Sequence, residues 1–259
     1  MKLKQNYKIT FFLLCFFVSQ AAFAGSTEAL QSYETAQKSY FEQDYQGALK
    51  IFGELSKNEP DNGYLLYNLG NCHYKMGETG RAIQYYEKAL LKIPRVSEVK
   101  TNLSLVRKGG DQEPPQNFTD YLVSNFYFWS AHVTLPEFRL ALMVLSAIFW
   151  GWVFYEWLKN KKILSLKTIL GFVILLYLAG GYYLKSDMAT PGRFAIVIKP
   201  EINVKAIYMD KDKPLFQLHE GTKVKIIDRQ DFNQGAKWLR IALPEGQTGW
   251  VLADDLGVI

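Results

Sequence analysis

The pattern of apolar and polar positions changes character twice along the chain. From residue 29 to residue 108, apolar side chains recur every three or four positions, the spacing that gathers them on one face of a helix. Two long, mostly apolar runs follow, residues 138–158 and 163–184. Each is long enough to cross the ~30 Å hydrocarbon core as a helix. Only residues 159–162 separate them, so they read as a transmembrane hairpin. From Arg193 onward the pattern switches towards period two and turn residues, and residues 195–198, 223–227, 237–241 and 248–251 read as strands. Glu220-Gly221, Gln234-Gly235 and Glu245-Gly246 supply turns between these strands. The pattern predicts three parts: a helical segment, a membrane hairpin and a small β segment.

Charge places these parts relative to the bilayer. Lys159, Lys161, Lys162 and Lys167 cluster in and beside the hairpin loop, with no acidic residue from 159 to 167. Such basic loops stay in the cytoplasm. Residues 1–24 read as an export signal: Lys2, Lys4 and Lys8, then an apolar stretch from Ile9 to Val18, then Ala22-Phe23-Ala24 before Gly25. An uncleaved anchor is the alternative reading, and it gives the same orientation. The chain is therefore expected in a bacterial inner membrane, with both soluble segments on the periplasmic side. Arg139, Glu156 and Lys167 lie near span ends, where long side chains reach water, and do not resemble an ion path.

Removing the signal leaves 27 Lys and Arg against 25 Asp and Glu, and no basic stripe of the kind that binds nucleic acid. It also removes Cys15, so Cys72 has no intramolecular disulfide partner. Gly109-Gly110-Asp111-Gln112-Glu113-Pro114-Pro115-Gln116 is rich in chain breakers and opens a linker over residues 109–137. Its aromatic end, residues 118–135, reads either as a helix lying on the membrane or as a short loop.

Residues 29–62 and 63–96 align on each other. Ala36 meets Gly70, Ala48 meets Ala82, Phe52 meets Tyr86, Leu55 meets Ala89 and Pro60 meets Pro94. Small residues permit close helix crossings, aromatics fill the gap between copies, and each proline ends a helix. Gly47 and Gly77 to Gly80 read as turns. The second copy, with Leu66, Leu69-Gly70, Tyr74, Ala82, Tyr86, Ala89 and Pro94, resembles the tetratricopeptide repeat. The first copy departs from that family at Ser32 and Thr35. Residues 95–108, with Val99, Leu103 and Val106 on one face, resemble the helix that closes such arrays.

Two repeats and a closing helix over residues 25–108 form a short array, expected to borrow stability from a partner or from self-association. The resemblance implies a peptide-binding groove on the first helix of each copy. Its matching positions are Leu30, Tyr33, Gln37, Tyr40 and Phe41, then Tyr64, Tyr67, Asn71, Lys75 and Met76. The groove residues singled out are Tyr33, Gln37, Tyr40, Tyr64, Tyr67, Asn71 and Lys75. The other reading of the tyrosines is packing between helices.

Residues 190–259 resemble the bacterial SH3-like barrel, through Val204-Lys205, Leu218-His219-Glu220-Gly221-Thr222, Trp238 and Gly249-Trp250-Val251. Trp238 is expected in the core and Trp250 at the rim, where it could stack on a ligand. His73, His132 and His219 fall in separate segments with no acidic residue or cysteine at metal-ligand spacing. No catalytic residue, cofactor or metal is implied.

Taken together, the sequence predicts a multidomain membrane protein: an all-α repeat solenoid, a two-helix hairpin and a small all-β SH3-like barrel. That order resembles the BatE-type proteins of the aerotolerance (Bat) operon. The resemblance implies a non-catalytic adaptor whose partners are other Bat-operon membrane proteins, in a complex linked to oxidative or envelope stress tolerance. The alternative is a peptidoglycan-binding anchor that recruits an envelope synthesis or division protein.

Overall fold

A computed structural model describes residues 28–108, 125–159, 165–207, 214–231 and 237–259. The expected export signal, most of the linker and most of the basic hairpin loop lie outside those residues.

The helical segment is a row of antiparallel pairs: α1 (28–41), α2 (Tyr45–Asn58), α3 (Gly63–Lys75), α4 (Thr79–Lys92) and α5 (Ser97–Lys108). Local chemistry sets its ends. Asp44 caps α2, accepting from Gly47 N, and Asn62 caps α3, accepting from Tyr64 N and Leu65 N. Gly77, at φ +80°, makes the left-handed turn that ends α3. Gly47 and Gly80, expected as turn residues, lie instead inside the first turns of α2 and α4.

Ala36, Ala48, Phe52, Leu65, Leu69 and Cys72 pack between the first three helices. Leu66, Ala82, Ile83, Tyr86 and Ala89 join Val99, Leu103 and Val106 of α5 in a second cluster. Gly70 is needed there, since a Cβ would come within 2.6 Å of the buried Tyr86 ring.

A 3₁₀ turn at Phe128–His132 precedes two helices long and apolar enough to cross a membrane, α6 (Leu135–Leu158) and α7 (Leu166–Met188). Each opens with a capping box, Thr134 with Glu137 and Ser165 with Thr168. The helices therefore start three residues away from the expected 138 and 163, and α7 runs four residues past 184. Of the segment 118–135, residues 118–124 lie outside the described residues; Asn125 is helical and the 3₁₀ turn follows it.

The C-terminal segment holds β1 (Phe194–Val197), β2 (Glu201–Val204), β3 (Phe216–His219), β4 (Lys223–Asp231), β5 (Lys237–Ala242), β6 (Thr248–Leu252) and β7 (Leu256–Val258). Five of them form an antiparallel sheet in the order β6-β5-β4-β1-β7, while β2 and β3 pair as a hairpin. Lys205 and Trp250 join hairpin to sheet through two backbone hydrogen bonds of 2.9 and 2.8 Å. Ala195, Val204, Val224, Leu239, Ile241 and Val251 fill the space between them.

Strand β1 is buried on both faces. Ala195 and Val197 enter the β core, while Ile196 points the other way, into the cluster of α3, α4 and α5. Strand β1 thus contributes to the cores of both segments, which α6 and α7 separate in sequence. The chain's own C-terminal segment covers the α4 and α5 side of the repeat array.

Candidate protein-interaction site

The first helices of the two copies present a ladder of hydrogen bonds that follows the repeat period. The Tyr33 hydroxyl on α1 accepts from Asn68 Nδ2 on α3 at 3.1 Å. One period later, the Tyr67 hydroxyl on α3 accepts from Asn102 Nδ2 on α5 at 2.9 Å. Asn71 Oδ1 accepts from Asn102 Nδ2 at 3.0 Å and from the Tyr86 hydroxyl at 2.7 Å. Half-buried polar groups tied in this way are costly to strip, because the partner left behind loses its hydrogen bond and regains water only in part. Tyr86 is fully buried, and its phenol is pushed far above the usual range by that burial.

The predicted groove residues therefore divide into two kinds. Tyr33, Tyr67 and Asn71 stitch neighbouring helices together, and the Tyr33 and Tyr67 rings also pack on Phe52 and Tyr86 at 5.7 and 5.8 Å. Tyr40 is half-buried, edge-on to Tyr45 at 5.3 Å and to Phe41 at 6.0 Å. Gln37, Tyr64 and Lys75 remain exposed, with Tyr64 55% accessible. Gln37 Nε2 donates to the Tyr33 hydroxyl at 3.3 Å, which ties the open part of this face to the ladder. Asn68 and Asn102 are the residues that sequence reasoning missed. Their spacing equals the repeat period, a signal that the alignment of small and aromatic positions did not use.

Beneath this face, His73 lies 5% exposed, with Nδ1 2.6 Å from Glu78 Oε2 and its ring stacked on Tyr85 at 5.1 Å. Burial pulls the His73 pKa down, a pull only partly offset by Glu78. The neighbouring Cys72 is fully buried, and burial pushes its thiol up to about 12. A nucleophilic cysteine needs the opposite shift. Among the described residues, no group of three or more His, Cys, Asp or Glu could hold a metal ion.

In the β segment the two tryptophans exchange their expected burial. Trp250 is 9% exposed, held by its backbone pairing with Lys205. Trp238 is the more open of the two, with Lys205 Nζ 5.6 Å from its ring centroid. A stacking surface, if formed here, would use the ring of Trp238 before that of Trp250.

Contacts also tie the helical array to the segment that carries α6 and α7. Arg95 donates to both Glu137 carboxylate oxygens at 3.2 and 2.9 Å and to the His132 carbonyl at 2.9 Å. Tyr127 lies over Gly180 and Gly181 and stacks on Tyr177 at 4.8 Å. Phe138 sits edge-on between Trp129 and Tyr182. Aromatic belts of this sort mark the boundary between hydrocarbon and headgroups.

A family model for the tetratricopeptide repeat matches residues 63–95, which take in α3 and α4. Helix pairs of this kind are characteristically modules for binding other proteins.

Proposed function

We propose that the chain is a non-catalytic membrane adaptor that presents a short tetratricopeptide array to protein partners on the outer face of a bacterial inner membrane. The observation that carries this reading is the matched repeat itself, with Gln37, Tyr64 and Lys75 left open on the face built by α1 and α3. A ring, an amide and an ammonium on a stiff helical surface suit an extended peptide. The ring offers apolar contact, and the polar groups fix orientation.

The orientation rests on a second argument. Helical and β segments that flank two consecutive spans and pack against each other have to lie on the same side of the bilayer. The basic loop between the spans assigns the other side to the cytoplasm. The order of parts, repeats then hairpin then β module, further supports an adaptor within a Bat-type envelope complex, with von Willebrand factor A-type membrane proteins as the partners to look for.

A photo-crosslinking residue placed at Tyr64, in membranes from the native host, should capture a membrane protein, whereas one placed at Ile227 on the sheet should not. Retention of the purified chain on peptidoglycan, with no protein captured from Tyr64, would overturn the adaptor in favour of a wall anchor.

A further inference from the structure

We infer that the β module is the closing element of the repeat array, standing where the second helix of an incomplete third repeat would stand. The soluble part is then one folding unit into which the membrane hairpin is inserted.

Helix α5 begins at Ser97, one repeat period after Gly63 begins α3, and its Asn102 repeats the role of Asn68. It is thus the first helix of a third copy. In such arrays the second helix of each copy covers the groove between its own first helix and the second helix of the copy before. Here the covering role falls to the sheet. Ile196 of β1 sits fully buried in the cluster of Ile83 and Tyr86 with Val99, Leu103 and Val106, and Ile259 packs against the same cluster.

Polar contacts along the seam are specific as well. Helix α4 has no side-chain cap of its own at Glu78; instead its Gly80 N–H donates to Glu220 Oε1 of the β module at 2.6 Å. Gln84 Nε2 donates to the Val258 carbonyl at 2.9 Å. Glu87 is gripped from both sides, by Arg107 of α5 and by Lys223 of β4, the latter at 3.0 Å. Burial acts to raise the Glu87 pKa, but the two cations outweigh it and hold the carboxyl below its usual range.

Each of these contacts would be lost if the modules parted. The α4 N-terminus would lose the Glu220 carboxylate that caps it, and Glu87 would keep one cation out of two. Interfaces between loosely tethered domains are more polar and lack a shared apolar interior. Here β1 lends Ile196 to the helical core and Ala195 and Val197 to the β core, so the array and the sheet open together.

Hydrogen exchange measured by mass spectrometry on the full chain in detergent tests this. Ile241 is fully buried in the β core and belongs to the cluster that contains no helix residue. Ile241→Ala weakens the sheet at a distance from the seam. Amides that open only with a whole unit report that unit's stability. The α5 amides are expected to exchange at least ~10-fold faster in Ile241→Ala, together with those of β4 and β5. Acceleration confined to the sheet, with α5 at the wild-type rate, overturns the inference. Should the Ile241→Ala chain not accumulate, Ile241→Val removes one methyl group and is read the same way, α5 rising with the sheet or not.

Discussion

Replacing Gly80 by alanine adds one methyl group in the first turn of α4, where two opposing effects meet. In an isolated helix the change removes backbone freedom from the unfolded chain and stabilises by up to about 1 kcal/mol. Against the sheet, a Cβ at that position would lie 2.8 Å from Ile198 Cα and closer still to the Val197 carbonyl oxygen. Carbon pairs prefer about 3.5–4.0 Å. The atoms in the way are backbone and cannot rotate aside, so the upper part of the ~1–3 kcal/mol overpacking range applies. Net of the helical gain, Gly80→Ala should cost about 1–2 kcal/mol, a fall in melting temperature of roughly 2–8 °C for a body of this size. Gly53, in the middle of α2, is the control, because nothing lies within 4 Å of its would-be Cβ. Gly53→Ala should raise the melting temperature by about 2–4 °C. Circular dichroism at 222 nm on both variants in one detergent reads the pair. A rise for Gly80→Ala equal to that for Gly53→Ala would show that α4 and the sheet do not touch in the folded protein.

Other outcomes are open to direct measurement. Asn102→Ala strips a donor from both Tyr67 and Asn71 and should cost about 1–3 kcal/mol in chemical denaturation, whereas Tyr64→Ala should leave stability unchanged; equal effects would contradict the division between ladder and open face. His73 binds its proton less readily folded than unfolded, so its contribution is complete above pH ~6.5 and falls as pH drops through that value. Melting temperature should decline from pH 7.5 to 5.5, and His73→Gln should flatten that decline; an unaltered slope would remove His73 as the cause. With its thiol buried and shifted to about 12, Cys72 should resist maleimide in the native chain and react once unfolded; rapid native labelling would refute its burial. With Cys72 silent, a membrane-impermeant maleimide applied outside should label cysteines introduced at Gly110 and Gly235 but not at Asn160, and the reverse pattern would invert the proposed topology.

Much of the fold could be read from side-chain spacing alone, because the determinants are local. The 34-residue alignment located Ala48, Phe52, Ala82 and Tyr86, all fully buried, and two long apolar runs located α6 and α7 to within a few residues. Strands β2, β3 and β7 escaped separate recognition, being three or four residues long and too short for a periodicity to register. The seam between modules was invisible for another reason: it joins positions 140 residues apart, such as Gly80 and Glu220. One local clue existed. Ala195-Ile196-Val197-Ile198 is apolar without alternation, the mark of a strand covered on both faces. The residues expected to line a groove lie on α1 and α3, but spacing cannot say whether a tyrosine hydroxyl faces solvent or a neighbour's amide. That depends on Asn68 and Asn102, which sit on the next helix.

The seam also imposes an order on the protein's biogenesis. Helices α4 and α5 leave the ribosome well before β1, and residues 109–193 must be made in between. At roughly 5–20 residues per second that interval lasts about 4–17 s, far longer than helix formation takes. Throughout it Ile83, Tyr86 and Val106 lack the cover that Ile196 later provides. A chaperone, or a partner already bound to the open face of α1 and α3, would find its moment of greatest effect in those seconds.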